Sequence, residues 1–173
     1  METVIVILVL ALLGWGVYIY NRLVSGNNTV KAAWSDIDVQ LTRRHDLIPK
    51  LVEAVKQYAA YEQATITAVT SLRSESAKIL EVDRKEAVEL ELGRMLHKLI
   101  AIAEAYPDLK ANQSFLDLQH NLTAVEKDIQ YARRYYNGAV RELNIRIESF
   151  PDLLIAQLFG FKLAQYFDFD ETL

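Results

Sequence analysis

The chain has 173 residues, 51% of them hydrophobic and 24% charged, with six Gly, three Pro and no Cys. The length suits one domain with its own core, and the missing cysteines exclude disulfides, thiolate nucleophiles, cysteine-ligated metals and a lipidated N-terminal Cys. A formal net charge of −4 argues against nucleic acid as a partner, because phosphate binding rests on clustered Lys and Arg.

Residues 3–20 read "TVIVILVLALLGWGVYIY", with no charge in the run. As a helix this stretch is about 27 Å long, close to the thickness of a bilayer's hydrocarbon. Val4, Ile5, Leu8 and Leu12 would face lipid, and Trp15, Tyr18 and Tyr20 would sit at headgroup level, where amphipathic rings are favoured. A cleaved signal peptide would want a basic leader, and only Glu2 precedes the run; a core helix in a chain of this size would keep a polar face toward water, and this run is apolar on every face. The sequence therefore predicts a retained single-pass anchor in contact with the bilayer. Arg22 and Lys31 follow the span, which leans toward a body on the cytoplasmic side.

"SGNNTV" at 25–30 reads as a polar hinge with helix-start residues. An apolar stripe then runs through Val30, Trp34, Ile37, Leu41, Ile48, Leu51, Val55, Tyr58, Glu62, Ile66 and Val69, skipping one turn at Arg44 and His45. A second stripe is Val88, Leu92, Met95, Leu99, Ile102 and Tyr106. A third is Phe115, Leu118, Leu122, Val125, Ile129, Ala132, Tyr136, Val140, Leu143, Ile147 and Phe150. Its steps average near 3.5, the repeat of left-handed coiled-coil packing. Pro107 cannot continue the second helix, Asn112 can cap the third, and Pro151 ends it. "DLLIAQLFGF" at 152–161 should form a short helix stopped by Gly160. The predicted fold is all-α: an antiparallel up-down-up bundle of three long helices plus a short C-terminal helix, preceded by one transmembrane helix. The expected divisions are 1–26 for anchor and hinge, 27–161 for the bundle and 162–173 for an acidic aromatic tail. In that tail Tyr166, Phe167 and Phe169 either cover the bundle end or are offered to a partner.

Catalytic patterns are sparse. A di-metal bundle site would need two Glu-x-x-His pairs; the nearest approach is Asp117 and His120, which lie off the apolar stripe. Phosphate-cradling glycine loops, dinucleotide fingerprints and a nucleophile elbow do not occur. Neither a metal, nor a cofactor, nor a catalytic residue is assigned. Two polar spots stand out. In "RRHDLIPKLV" at 43–52, Pro49 cannot donate to the carbonyl of His45, so the helix should bend or restart there, with Asp46 capping the restart and Arg43 or Arg44 pairing with Asp46 or Asp38. The other reading is that the bend opens a polar groove in which a partner meets Arg43, Arg44 and Asp46. In "YARRYYNGAV" at 131–140, Tyr136 lies on the stripe, flanked by Arg133, Arg134, Tyr135 and Asn137. This is either a tyrosine core layer with arginines lying over it or a protein-binding face.

The chain resembles the LemA family of bacterial membrane-associated helical proteins over nearly its whole length. The likeness rests on Tyr20-Asn21 at the end of the apolar span, "AWSDIDVQLTRRHDLIPKLVEAVKQYAAYE" at 33–62 and "AYPDLKANQSFLDLQ" at 105–119. "RRYYNGAV" at 133–140, "SFPDLL" at 149–154 and Phe159-Gly160-Phe161 complete it. Lys50 and Gln57 stand where Asn and Gly are expected, both at exposed-type positions. The resemblance implies a single-pass inner-membrane helix bundle without an established activity, linked to membrane proteases and to membrane organisation. Motif residues carried to this chain include Trp34, Asp38, Arg44, Asp46, Leu47, Pro49, Tyr106, Pro107, Asp108, Asn112, Phe115, Tyr136, Asn137 and Pro151. The expected role is a scaffold or adaptor that binds other membrane proteins or a second copy of itself. A metal-dependent or enzymatic regulator using His45, Asp46 and neighbouring acids, and a membrane-shaping protein, are the alternatives.

Overall fold

The computed structural model describes residues 1–59 and 61–167. Among them every regular element is helical: α1 (Glu2–Lys56), α2 (Gln63–Ser76), α3 (Val82–Glu104), α4 (Pro107–Lys110), α5 (Gln113–Glu148) and α6 (Asp152–Phe159). The all-α bundle is as expected, but its first element is not. The anchor, the 25–30 segment and the first body helix are one helix, and the expected polar hinge is helical throughout. Gly26, Asn27 and Asn28 are weak helix formers, but flanking apolar turns on both sides carry the helix across them. Thr29 Oγ1 donates back to the Ser25 carbonyl at 3.1 Å. The stripe drawn from Val30 to Val69 is instead two elements, since α1 ends at Lys56 and α2 begins at Gln63. No Gly or Pro marks that break, so only packing could reveal it.

The chain divides into two compact units. Residues 36–133 lie in one, whose core joins Ile48, Leu51 and Val55 of α1, Ile66 and Val69 of α2, Leu92, Leu96 and Leu99 of α3, and Phe115 and Leu122 of α5. On α3 the buried seam is Lys85, Glu89, Leu92, Leu96, Leu99 and Ala103, one step round from the stripe expected through Val88, Met95 and Ile102, which are only half-buried. Asn112 caps α5 as expected: its Oδ1 accepts the amides of Ser114 at 2.9 Å and Phe115 at 3.3 Å.

The other unit comprises residues 1–35 and 134–166. Here Ile19, Leu23, Val30 and Ala33 of α1 are buried, as are Tyr136, Val140, Leu143 and Ile147 of α5. A Cβ on Gly26 would meet Leu143 Cδ1 at 3.2 Å, so glycine permits the close approach of α1 and α5 there. Asn144 fixes the chain after α6 through two hydrogen bonds, accepting from the Ala164 amide at 2.8 Å and donating to its carbonyl at 2.9 Å. Gly160 ends α6 in the left-handed region, with φ of 70°, which a residue lacking Cβ adopts at no steric cost. Of the tail residues, Tyr166 belongs to this unit and is exposed, whereas Phe167 belongs to the first unit and is buried; Phe169 lies outside the described residues.

Candidate functional site

The run of residues 43–46 does not act as one cluster. A helix turns its side chains through about 100° per residue, so Arg43 and Asp46 are exposed while Arg44 and His45 point inward. The turn skipped by the α1 apolar stripe is thereby filled with polar side chains on the core side. Arg44 is 1% exposed. Its Nη2 donates to Glu89 Oε2 on α3, and its Nη1 donates to Glu126 Oε1 on α5 at 2.8 Å. His45 Nε2 lies 2.8 Å from Glu89 Oε1, and the Ser76 hydroxyl at the end of α2 donates to that same oxygen. One buried carboxylate therefore ties α1, α2 and α3 together, and Arg44 extends the joint to α5.

The electrostatics follow from those contacts. Burial alone would raise the Glu89 carboxyl, because charge is disfavoured in a low dielectric. The His45 hydrogen bond, the Arg44 charge and the Ser76 hydroxyl outweigh it and hold the group at about 2. Burial would likewise lower the Arg44 guanidinium, but the charges of Glu126 and Glu89 win and raise it. Both groups stay ionised through the physiological range, which suits a fixed joint rather than proton transfer.

Pro49 lies inside α1, and the helix continues through it to Lys56. The expected restart capped by Asp46 is therefore corrected. The His45 carbonyl that Pro49 leaves without its helical donor accepts Arg73 Nε–H from α2 at 2.7 Å, so a side chain on another element replaces the missing bond. The expected pairings of Arg43 and Arg44 with Asp46 or Asp38 are corrected too. Arg43 meets Gln40 at 2.7 Å and Asp128 of α5 at 3.1 Å, and Asp38 accepts from Lys85 of α3. Cross-helix partners win because packing brings the carboxylates of α3 and α5 onto this face.

An open groove of about 440 Å³ does lie beside the joint, lined among others by Asp38, His45, Asp46, Arg73, Lys78 and Lys85. Arg43 and Arg44 are not on its wall. Among the described residues no three His, Asp or Glu side chains are grouped to hold a metal ion, and His97 and His120 are exposed.

In the 131–140 stretch, the Trp34 and Tyr136 rings lie 5.5 Å apart and tilted, and Tyr136 Oη donates to the Gln165 carbonyl at 2.8 Å. Arg133 is buried, not lying over the surface as the core-layer reading had it. Arg134 and Tyr135 are exposed and Asn137 is half-buried. Along the anchor, large apolar side chains from Val4 to Leu13, including Ile5, Leu8 and Leu12, are 49–65% exposed, and Trp15, Tyr18 and Tyr20 are exposed as well. It is one helix long and apolar enough to cross a membrane.

Sequence reasoning missed Glu89, Ser76, Arg73 and Glu126. A signal existed for the first: stepping back by three and four from Leu99, Leu96 and Leu92 lands on Glu89 and Lys85, charges on a core seam.

The model of the LemA family matches residues 33–173. Protein LemA of Metamycoplasma hominis is 29% identical over 139 residues, covering 79% of this chain and 63% of that protein. Magnetosome protein MamQ 2 of Paramagnetospirillum magneticum is 25% identical over 174 aligned positions, covering 86% of this chain and 64% of its own length. Magnetosome protein MamQ of Magnetospirillum gryphiswaldense is 24% identical with the same coverages. The chain thus spans somewhat less than two thirds of the length of each of these relatives.

Proposed function

This chain belongs to the LemA family, and from that premise we propose that it is a membrane-anchored, non-enzymatic helical scaffold or adaptor. It is a membrane-associated helical protein; the scaffold role is the proposal. The observation that carries it is the contrast along α1. Its first turns leave nearly every apolar side chain uncovered, whereas further along the same helix the core-side charges are closed in ion pairs. An uncovered apolar helix suits lipid, and a body stiffened by internal pairs suits the presentation of fixed surfaces. Relatives named as magnetosome proteins support attachment to a membrane.

In this reading the bilayer is the bacterial cytoplasmic membrane and the body lies on its cytoplasmic side. The exposed Arg43, Asp46, Pro49, Arg134 and Tyr135 belong to faces met by another membrane protein, such as a membrane protease, or by a second copy. Proximity labelling in the native membrane, with the label at the C-terminus, tests both points. Enrichment of integral membrane proteins with cytoplasmic domains supports the reading. Labelling confined to the chain itself and soluble bystanders, together with a strictly monomeric detergent-solubilised protein, overturns it.

A further inference from the structure

Helix α6, "DLLIAQLF", has six apolar residues in eight, but only Ala156 is buried. Leu158 is 75% exposed, and Leu154 and Phe159 are exposed beside it. Phe150 before the helix and Leu163 after it are also exposed. This is a large apolar surface for a short segment, and soluble surfaces rarely gather one. Its place in the fold is specific. A Cβ on Gly16 would meet Ile155 Cδ1 at 3.8 Å, and the Tyr20 ring packs at 4.8 Å from Phe159 and 5.8 Å from Phe161. α6 therefore sits beside the last turns of the apolar run of α1, the level at which Trp15, Tyr18 and Tyr20 place the headgroups.

We propose that α6 is a second lipid contact, a short wedge packed against the anchor, with Phe150, Leu154, Leu158 and Leu163 entering the headgroup–acyl boundary. The occupant is lipid because the apolar surface is continuous with that of α1: the exposed ring of Tyr20 leads directly onto Phe159. Helices of this kind sink about 5–10 Å into the boundary. Exposed Arg22 and Lys162 follow the two apolar stretches in sequence, as suits anionic headgroups. The inference rests on the reading of α1 as a membrane anchor.

The absence of cysteine permits a direct test. Full-length Leu158→Cys, Leu8→Cys and Tyr135→Cys variants, each labelled with an environment-sensitive fluorophore, are reconstituted in phosphatidylcholine–phosphatidylglycerol vesicles containing lipids that carry a quencher at shallow or deep positions. Tyr135 is the aqueous reference: Trp34, which packs on Tyr136, is fourteen residues beyond Tyr20, about 21 Å along the helix. The expected result is loss of emission at 158 with the shallow quencher, loss at 8 with the deep one, and neither at 135. Quenching at 8 with emission at 158 matching that at 135 overturns the wedge and leaves the anchor standing; oxidative crosslinking of unlabelled 158 thiols in that case assigns the patch to a second copy. Unquenched emission at 8 removes the anchor and the wedge with it. If the Leu158 variant loses helicity, Leu154→Cys replaces it under the same criteria.

Discussion

Glu89 has no side-chain exposure, yet it carries a charge shared among Arg44, His45 and Ser76. Taking one partner from a buried ion pair leaves the other charge uncompensated, at about 3–5 kcal/mol, whereas replacing both with apolar groups of similar volume is often neutral. Arg44→Met and Glu89→Leu should each lower stability in chemical denaturation by about that amount, and the double variant by clearly less than the sum. Acid titration reads the same joint. The Glu89 carboxyl lies at about 2 in the folded chain against an ordinary 4.5. A lowered folded value gives stability that is complete above the unfolded pKa and is lost as pH falls through the window down to the folded one. The Glu89→Gln variant should therefore lose less stability than the wild type between about pH 4.5 and about pH 2, by an amount on the order of 3 kcal/mol. Equal slopes for the two proteins would show that the carboxyl is not held down by its partners.

At the scale of elements, α1 is the unusual one. It runs through two positions that would each be expected to interrupt it, the 25–30 segment and Pro49. At Pro49 the cost of a lost donor, about 3 kcal/mol without compensation, is offset by Arg73 from α2. Arg73→Ala should destabilise by about 1–3 kcal/mol, the range for an acceptor left without its partner, and toward the lower end because this one is only partly buried. The same change in a Pro49→Ala background should cost less, because the alanine amide can donate to the His45 carbonyl in its place. A thermal-unfolding double-mutant cycle measures this coupling, and strict additivity would mean that Arg73 acts elsewhere. Asn112 and Gly160 act as cap and stop through local geometry alone, so no partner helix is needed to place them.

For the whole molecule, α1 matters most. The apolar N-terminal part of that helix has the strongest consequence. A Lys near the middle of a spanning helix costs about 2.5–3.5 kcal/mol of insertion. Leu8→Lys with Leu12→Lys should shift the protein from the membrane fraction into the alkaline-carbonate supernatant, with retention in the pellet as the contrary result.

The helical class, the apolar span, the α5 cap, the α6 stop and the family membership carried by motifs such as "RRHDLIPKLV" and "AYPDLKANQSF" are all legible in the order of residues. These are local properties: periodicity, charge-free length and backbone preferences act within a few residues along the chain. The inward turn of Arg44 and His45 to Glu89, the completion of the helix at Pro49 by Arg73, and the α3 seam that holds Lys85 and Glu89 emerge from the packing of helices on one another. A charge on a helix reads as solvated until its counter-charge is known, and here each counter-charge comes from a different helix. Burial and pairing are properties of that assembled core, and spacing along one strand of sequence does not contain them.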